Sequence, residues 1–227
     1  MKADARLKGL GVYFLYKDTD SRNTWPDSRD FQDWKVRLFD TEVLYNTNIG
    51  AHKLLAGVNL RYRTINDSPL YSGGFKEFRW SVFMDGQIEL ADNMRITTGL
   101  RYDWHPLSGG RISPRFHFFY APVKDHIFRL SVSRAFLHPV FTVSYVDISS
   151  TTDYFIDPPF PQVPIPYTLA LQGNRDIEPE KITSYELGID SRWSDHLALS
   201  LNLFYNHYSG FIRNNWDYQV YGESELF

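Results

Sequence analysis

Apolar and polar residues alternate along most of this chain with a period of two. One of the cleanest examples spans residues 54–63, where every second residue is apolar: Leu54, Ala56, Val58, Leu60 and Tyr62. Successive side chains of a β-strand point to opposite faces, so this period predicts strands with one apolar face. About nine such segments occur, which predicts an all-β protein without a helical stretch.

The predicted strands follow one another as an up-and-down meander. They cover residues 9–16, 34–45, 54–63, 78–90, 94–104, 112–122, 128–133, 182–190 and 197–205. The apolar residues of the second segment change parity, which predicts a β-bulge near Leu38. On the expected lipid-facing side we place Leu54, Val58, Leu60, Trp80, Ile96, Leu100, Leu130, Leu187, Leu199 and Leu201.

The two ends of the chain are less regular. Residues 1–16 combine basic residues with a short apolar run, but Lys17 and Asp18 follow at once and no small-residue cleavage site is present. We therefore interpret this segment as a strand and not as a signal peptide. Near the other end, residues 211–221 predict only a poor tenth strand, because asparagine and aspartate interrupt its lipid-facing parity.

The connections between strands alternate in length. Residues 46–52, 91–93, 123–126 and 193–195 form short turns, whereas the connections between them are mostly longer. The longest spans residues 135–181 and contains seven prolines. Short turns at one end and long loops at the other are typical of a transmembrane β-barrel.

Composition agrees with membrane strands and excludes several other classes. Aromatic residues make up 17% of the chain, yet the mean hydropathy is only −0.38. No apolar run reaches the roughly 18 residues of a transmembrane helix, but a transmembrane strand needs only about 9–11 alternating residues. The net charge of −3 provides no basic surface for nucleic acid, and the absence of cysteine excludes disulfides and thiolate metal sites.

Four segments carry a family resemblance. GNRDIEPEKITSYELGID at residues 173–190 resembles a segment that follows a long external loop in the barrels of TonB-dependent outer-membrane receptors. NMRITTGLRYD at residues 93–103, residues 112–120 with their Ser-Pro-Arg, and FRLSVSRAFLHP at residues 128–139 resemble further elements of these barrels, in the family's order. The first ninety residues add only compatible strands.

The resemblance implies a particular architecture. Residues 1–227 would be part of a receptor barrel in the outer membrane of a Gram-negative bacterium, with an external loop at residues 135–181 and no plug domain. We expect an antiparallel meander of about nine to ten transmembrane strands that forms an open segment of a much larger barrel. The implied partners are outer-membrane lipid, a plug domain, TonB and a small-molecule ligand such as a ferric siderophore. The resemblance implies no cofactor.

The polar parity of the strands supplies candidate lumen residues. It is rich in both signs of charge, which suits water and contacts with a plug. Glu186 stands where the resemblance places a barrel glutamate that contacts plug arginines. The candidate plug-facing residues are Glu186, Arg79, Arg95, Arg101, Arg115 and Arg129.

The long loop supplies candidate ligand contacts. Its aromatic residues lie among prolines, and rigid aromatic side chains suit the binding of a metal chelate or a sugar. The candidates are Tyr145, Tyr154, Phe155, Phe160 and Tyr167, with self-packing of the loop as the alternative. Haem receptors of the family place a histidine in this loop. Residues 140–172 contain none, which counts against haem.

A small outer-membrane enzyme, such as a protease or lipase, is the alternative function. It would need a nucleophile, or a carboxylate and histidine, near one rim. His105 lies two residues from Asp103, and His138 follows Ser133, but neither spacing is diagnostic. The seven histidines are scattered without metal-ligand spacing, and we interpret them as surface or lumen residues. The sequence predicts no enzyme and no metal site.

Overall fold

The computed structural model describes residues 1–7, 9–21, 34–66, 73–155 and 164–212. Its main element is one sheet of ten strands. Eight strands come first in the chain: β1 (Lys2–Leu7), β2 (Leu10–Ser21), β3 (Trp34–Ile49), β4 (His52–Ile65), β5 (Phe75–Ala91), β6 (Met94–His105), β7 (Gly109–Val123) and β8 (His126–Leu137). The last two strands are β11 (Glu180–Ser194) and β12 (Leu197–Ser209).

The ten strands pair in chain order, except that β8 lies beside β11 because the long loop intervenes. Every pairing in this sheet is antiparallel. β1 and β12 are the edge strands, and each pairs with one neighbour among the described residues. The predicted open, up-and-down meander is confirmed.

Cross-strand register separates an apolar face from a polar face. One row runs from Val43 through Val58, Val82 and Tyr102 to Ile112, and it belongs entirely to the apolar face. Most of these side chains are exposed, including Val58 at 40% and Ile112 at 55%. The ten residues predicted to face lipid all fall on this face. In water such a surface would be costly, whereas in a bilayer it would contact acyl chains.

Residues 1–16, which were interpreted as one strand, are in fact two strands. β1 and β2 form a hairpin whose turn includes Gly9, which has a φ of 79°. This left-handed conformation favours glycine, and the Gly9 carbonyl accepts a hydrogen bond from Asn46 N at 2.7 Å. β2 also extends beyond residue 16, the end of the predicted strand, to Ser21, and Asp18 in this extension forms ion pairs with Lys35 and Arg37 on β3.

The predicted bulge near Leu38 is wrong. β3 pairs with β2 and β4 without a register shift, so Val36 and Leu38 simply lie on the polar face near the long-loop end. The sheet's irregularities lie beside turns instead, at residues 89–91, 120–123 and 192–194. Apolar residues on both parities therefore reflect a strand that extends past the apolar band, and not an inserted residue.

The short connections lie at one end of the sheet, as expected. β3 joins β4 through two residues, Gly50 and Ala51, and β11 joins β12 through Asp195 and His196. At the other end, the loop between β8 and β11 contains structure that the sequence did not predict. A short helix, α1 (Phe141–Tyr145), is followed by β9 (Asp147–Phe155) and β10 (Pro164–Gln172), which pair as a separate hairpin. The prediction of no helical stretch is therefore wrong.

Candidate functional site: the polar face and the loop rim

Ion pairs within and between strands lie along the polar face. Arg115 on β7 reaches across β6 to Asp85 on β5 at 2.7 Å, and Arg129 on β8 reaches across β11 toward β12. Arg129 pairs with Asp190 at 2.9 Å and donates to Asn202 at 3.0 Å. These groups are partly exposed, so each pair contributes modestly to stability.

Two glycines make these long reaches possible. A Cβ built on Gly99 would lie 2.7 Å from Arg115 Nε and would also collide with the Asp85 carboxylate. A Cβ on Gly188 would lie 2.9 Å from Arg129 Nε. Each arginine lies flat across the backbone of the intervening strand, because that strand has no side chain there. The glycines are therefore required for close approach and not for a turn.

Arg79 and Arg101, which were predicted to face a plug, are also paired within the wall. Arg79 pairs with Glu77 at 2.7 Å, and Arg101 pairs with Asp103 at 2.9 Å. Arg95 lies over the ring of Phe119, with its guanidinium carbon 4.7 Å from the centroid. Five of the six candidates thus already have partners in the sheet.

Glu186 differs from the five arginines. Its side chain is exposed on the polar face of β11, between its register partners Ser131 and Phe204. Within the described residues it takes part in no hydrogen bond or ion pair. The carboxylate is thus available to a group outside this sheet. Contact with a plug stays a prediction.

A second polar cluster lies at the long-loop end of the sheet. Glu77 on β5 is 2% exposed, and His105 at the end of β6 is 1% exposed. Their side chains approach to 3.4 Å, and His105 Nδ1 accepts a hydrogen bond from Leu107 N at 3.1 Å. His105 therefore carries its proton on Nε2, toward the Glu77 carboxylate. A buried charge of this kind is stable only with such partners.

His138 completes the cluster from the first turn of the loop. Its ring stacks on His105 with centroids 4.6 Å apart, and its Nδ1 lies 2.7 Å from Ser108 Oγ. Burial, followed by the nearby His105 and Arg79, lowers the pKa of His138 to about 4. These two histidines are therefore packed against each other and not scattered, whereas the placement of the histidines on the surface or in the lumen stays a prediction. No sequence signal could have joined residues 105 and 138, because the fold alone brings them together.

Aromatic residues attach the loop to the rim beside this cluster. The ring of Tyr145 in α1 stacks on Phe75 of β5 at 4.1 Å, and Phe141 lies 5.9 Å from the same ring. Arg63 covers Phe141, and Arg175 lies 5.2 Å from the Tyr145 centroid. Burial, followed by the charge of Glu77, raises the pKa of Tyr145, so its hydroxyl stays protonated. The structure places Tyr145 at the base of the loop.

The other predicted ligand residues lie farther along the loop. Tyr154 and Phe155 end β9, and Tyr167 lies in β10, where Ile165 pairs with Tyr154. Phe160 lies outside the described residues. The hairpin thus brings three of the four onto one element, separate from the rim cluster. A ligand role for these residues stays a prediction.

The rim cluster has little catalytic capacity. Ser108 and His138 resemble part of a nucleophile–base pair, but a histidine with a pKa of about 4 is a weak base at neutral pH. No carboxylate hydrogen-bonds the other nitrogen of His138 within the described part of the chain. In the same residues no group of three or more potential ligands could hold a metal ion.

The helix in the described part of the chain is not long and apolar enough to cross a membrane.

The fold and the two-faced wall define the class of protein. The chain matches the family model for TonB dependent receptor-like β-barrels over residues 3–224, and it belongs to that family. TonB-dependent receptors are transporters of the Gram-negative outer membrane and not enzymes. The resemblance found in the four segments is confirmed.

One curated protein is similar in sequence to most of this chain. The ferrienterobactin receptor of Escherichia coli is 27% identical over 204 residues, which are 88% of this chain and 24% of that protein. The chain thus spans about a quarter of this relative's length.

Two solved receptors from Pseudomonas aeruginosa share the fold. A variant of the ferric enterobactin receptor PfeA in complex with enterobactin superposes with a TM-score of 0.71 at 19% identity, covering 94% of this chain and 35% of that one. The siderophore receptor PirA superposes with a TM-score of 0.68 at 21% identity, covering 91% and 37%.

Proposed function

We propose that this chain forms part of the barrel wall of an outer-membrane receptor that imports a ferric siderophore with energy supplied through TonB. The observation that carries the proposal is the two-faced sheet. One face is apolar and exposed, whereas the other carries ion pairs from β3 to β11. A polar lumen inside an apolar exterior is what a large transport barrel requires. The siderophore as ligand is supported by the ferrienterobactin receptor to which the chain is similar.

The expected partners of this chain follow from the two open edges of the sheet and from its polar face. The outer edges of β1 and β12 lack neighbours among the described residues, and an unpaired strand edge in lipid costs several kcal/mol for each bare backbone group. We infer that further strands pair with both edges. The lumen of a barrel much larger than this sheet needs a plug to prevent leakage. The free carboxylate of Glu186 is the part of this wall best suited to contact such a plug.

Glu186→Gln should weaken attachment of the plug. A hydrogen bond to a charged group contributes about 1.5–3 kcal/mol, and the amide would lose most of it. The measurement is the urea concentration at which a plug cysteine becomes accessible to a thiol reagent in the intact receptor. Asp190→Asn is the matched control on the same strand and face, because Asp190 is already held by Arg129 and Ser200. Equal shifts in both variants would remove Glu186 from the plug contact.

The double substitution Tyr154→Ala and Phe155→Ala should weaken ligand binding while leaving barrel assembly intact. Each aromatic ring in a ligand site contributes contact area that alanine cannot replace. We expect at least a tenfold rise in Kd for ferric enterobactin, measured by quenching of intrinsic fluorescence. Phe204→Ala is the control, since this exposed aromatic lies on the polar face of β12 away from the loop. An unchanged Kd in the double variant would exclude the hairpin from the site.

Uptake itself tests the function. The receptor that carries this chain is expressed in an iron-starved host without its own siderophore receptors, and accumulation of radioactive iron from ferric enterobactin is followed. We expect saturable uptake that stops when TonB is deleted or the proton gradient is collapsed. Absence of binding and uptake for a panel of ferric siderophores, together with hydrolysis of chromogenic esters or peptides, would favour the enzyme instead.

A further inference from the structure

The long loop is held on the barrel rim by a buried contact between two imidazole rings. His138 belongs to the loop, whereas His105 ends β6 and Ser108 lies in the connection between β6 and β7. His105 is almost fully buried, and Phe136 packs edge-on against His138 at 5.1 Å. This contact lies where the loop leaves the barrel. It is therefore one of the contacts that hold the base of the loop on the rim.

The charged groups around His138 are either positive or are carboxylates that already pair with another residue. Arg79 on β5 and Arg111 on β7 both disfavour a proton on His138, as does His105. Asp103 on β6 favours it, but that carboxylate pairs with Arg101. Glu77 is engaged by Arg79 and faces the Nε2 proton of His105. A proton added to His138 would thus place a new cation in a buried site without a free carboxylate.

The other attachments connect the loop base into one unit. Gly173 N donates to Val146 O at 2.6 Å, and Asn174 N donates to Val143 O at 3.0 Å, so the returning strand of the loop is bound to α1. α1 in turn stacks on the rim through Tyr145 and Phe75. None of these attachments titrates between pH 4 and 7, since they are backbone hydrogen bonds and aromatic contacts. The stacked histidines are the titratable groups in this base, and His138 is the one that belongs to the loop.

We propose that His138, stacked on His105, is an acid-sensitive latch that keeps the loop docked on the rim at neutral pH and releases it in acid. The docked loop favours neutral His138, with a pKa of about 4 against the ordinary 6.5 of a free side chain. The released loop therefore takes up a proton first as the pH falls. Docking is fully stable above about pH 6.5, and the ratio of docked to released loop falls by up to tenfold per pH unit down to about pH 4.

This chain contains no cysteine, so two introduced cysteines are the label sites within it. Lys76→Cys on the rim and Gln172→Cys at the end of β10 are both exposed positions for nitroxide labels. In the intact receptor we expect a narrow distance distribution at pH 7.5. At pH 4.5 it should become broader and longer, with the change reversed on neutralisation.

Two variants separate the latch from general acid effects. His138→Phe keeps a stacking ring without a titrating group, and His138→Gln keeps a hydrogen-bond partner for Ser108; either one should abolish the pH dependence of the distance. His196→Gln, in the turn at the opposite end, should leave it unchanged. The proposal is overturned if the wild-type distance does not change between pH 7.5 and 4.5. It is equally overturned if a folded His138 variant keeps the wild-type transition.

Discussion

Leu201→Arg is expected to destabilise the barrel by about 2–4 kcal/mol, the cost of an arginine on the lipid face near the bilayer midplane. Leu201 lies on the apolar face of β12, 43% exposed, paired with Ile189. On this edge of the sheet the apolar band is flanked by Trp193 and Tyr205, and Leu201 is close to its middle. The free energy of unfolding is measured by urea titration of the receptor in lipid vesicles.

Ser200→Arg is the matched control, one residue away on the opposite face. Ser200 faces Asp190, to which it donates at 2.6 Å, so a new arginine there would meet a carboxylate and water. We expect a change below about 1 kcal/mol. Leu199→Arg should fall between the two, because Leu199 is the third residue of the strand and lies nearer the turn. Equal losses at positions 200 and 201 would contradict the assignment of the faces.

Gly99→Ala is expected to cost about 1–3 kcal/mol, the usual penalty for forcing atoms into a packed position. The new methyl group would occupy the space in which Arg115 crosses β6 to reach Asp85. Either the ion pair separates or the strands shift. The same urea titration measures the effect.

Gly86→Ala provides the contrast on the adjacent strand. The nearest atom to its added Cβ is Thr98 Cγ2 at 4.0 Å, an ordinary contact, so we expect no loss of stability. In a receptor that already carries Asp85→Ala and Arg115→Ala, Gly99→Ala should reduce the free energy of unfolding by less. The side chains that the new methyl group would displace are then absent. A cost unchanged in that background would show that the backbone of β6, and not the ion pair, requires glycine.

These glycines explain how the polar face accommodates so many arginines. An arginine standing upright from each strand would crowd its neighbours, whereas one lying across a glycine reaches a carboxylate two strands away. Gly99 serves one such crossing, from Arg115 to Asp85, whereas the arginine that crosses Gly188 reaches the side-chain amide of Asn202 on β12. The pattern was visible in the sequence only as glycine on the polar parity, since the partner two strands away depends on register.

The site was partly predictable. Alternation placed the arginines and Glu186 on one face, because side-chain direction in a strand is a local property. It did not show that Arg79, Arg101, Arg115 and Arg129 would find partners within the wall. Of the six candidates, Glu186 is the one that has no partner among the described residues. The cluster of Glu77, His105 and His138 was missed, since its members come from three separate segments of the chain.

The sequence by itself determined the strands, their two faces, the end at which the short turns lie and the membership of the family. All of these follow from periodicity and from short motifs that are read locally. Only the tertiary structure decided the hairpin of β1 and β2, the regular register of β3, helix α1 and the stacked histidines at the rim. Each of those depends on which residues meet across strands or beneath the loop. Such meetings are set by register and packing between segments far apart in the chain, and the period of any single strand carries no information about them.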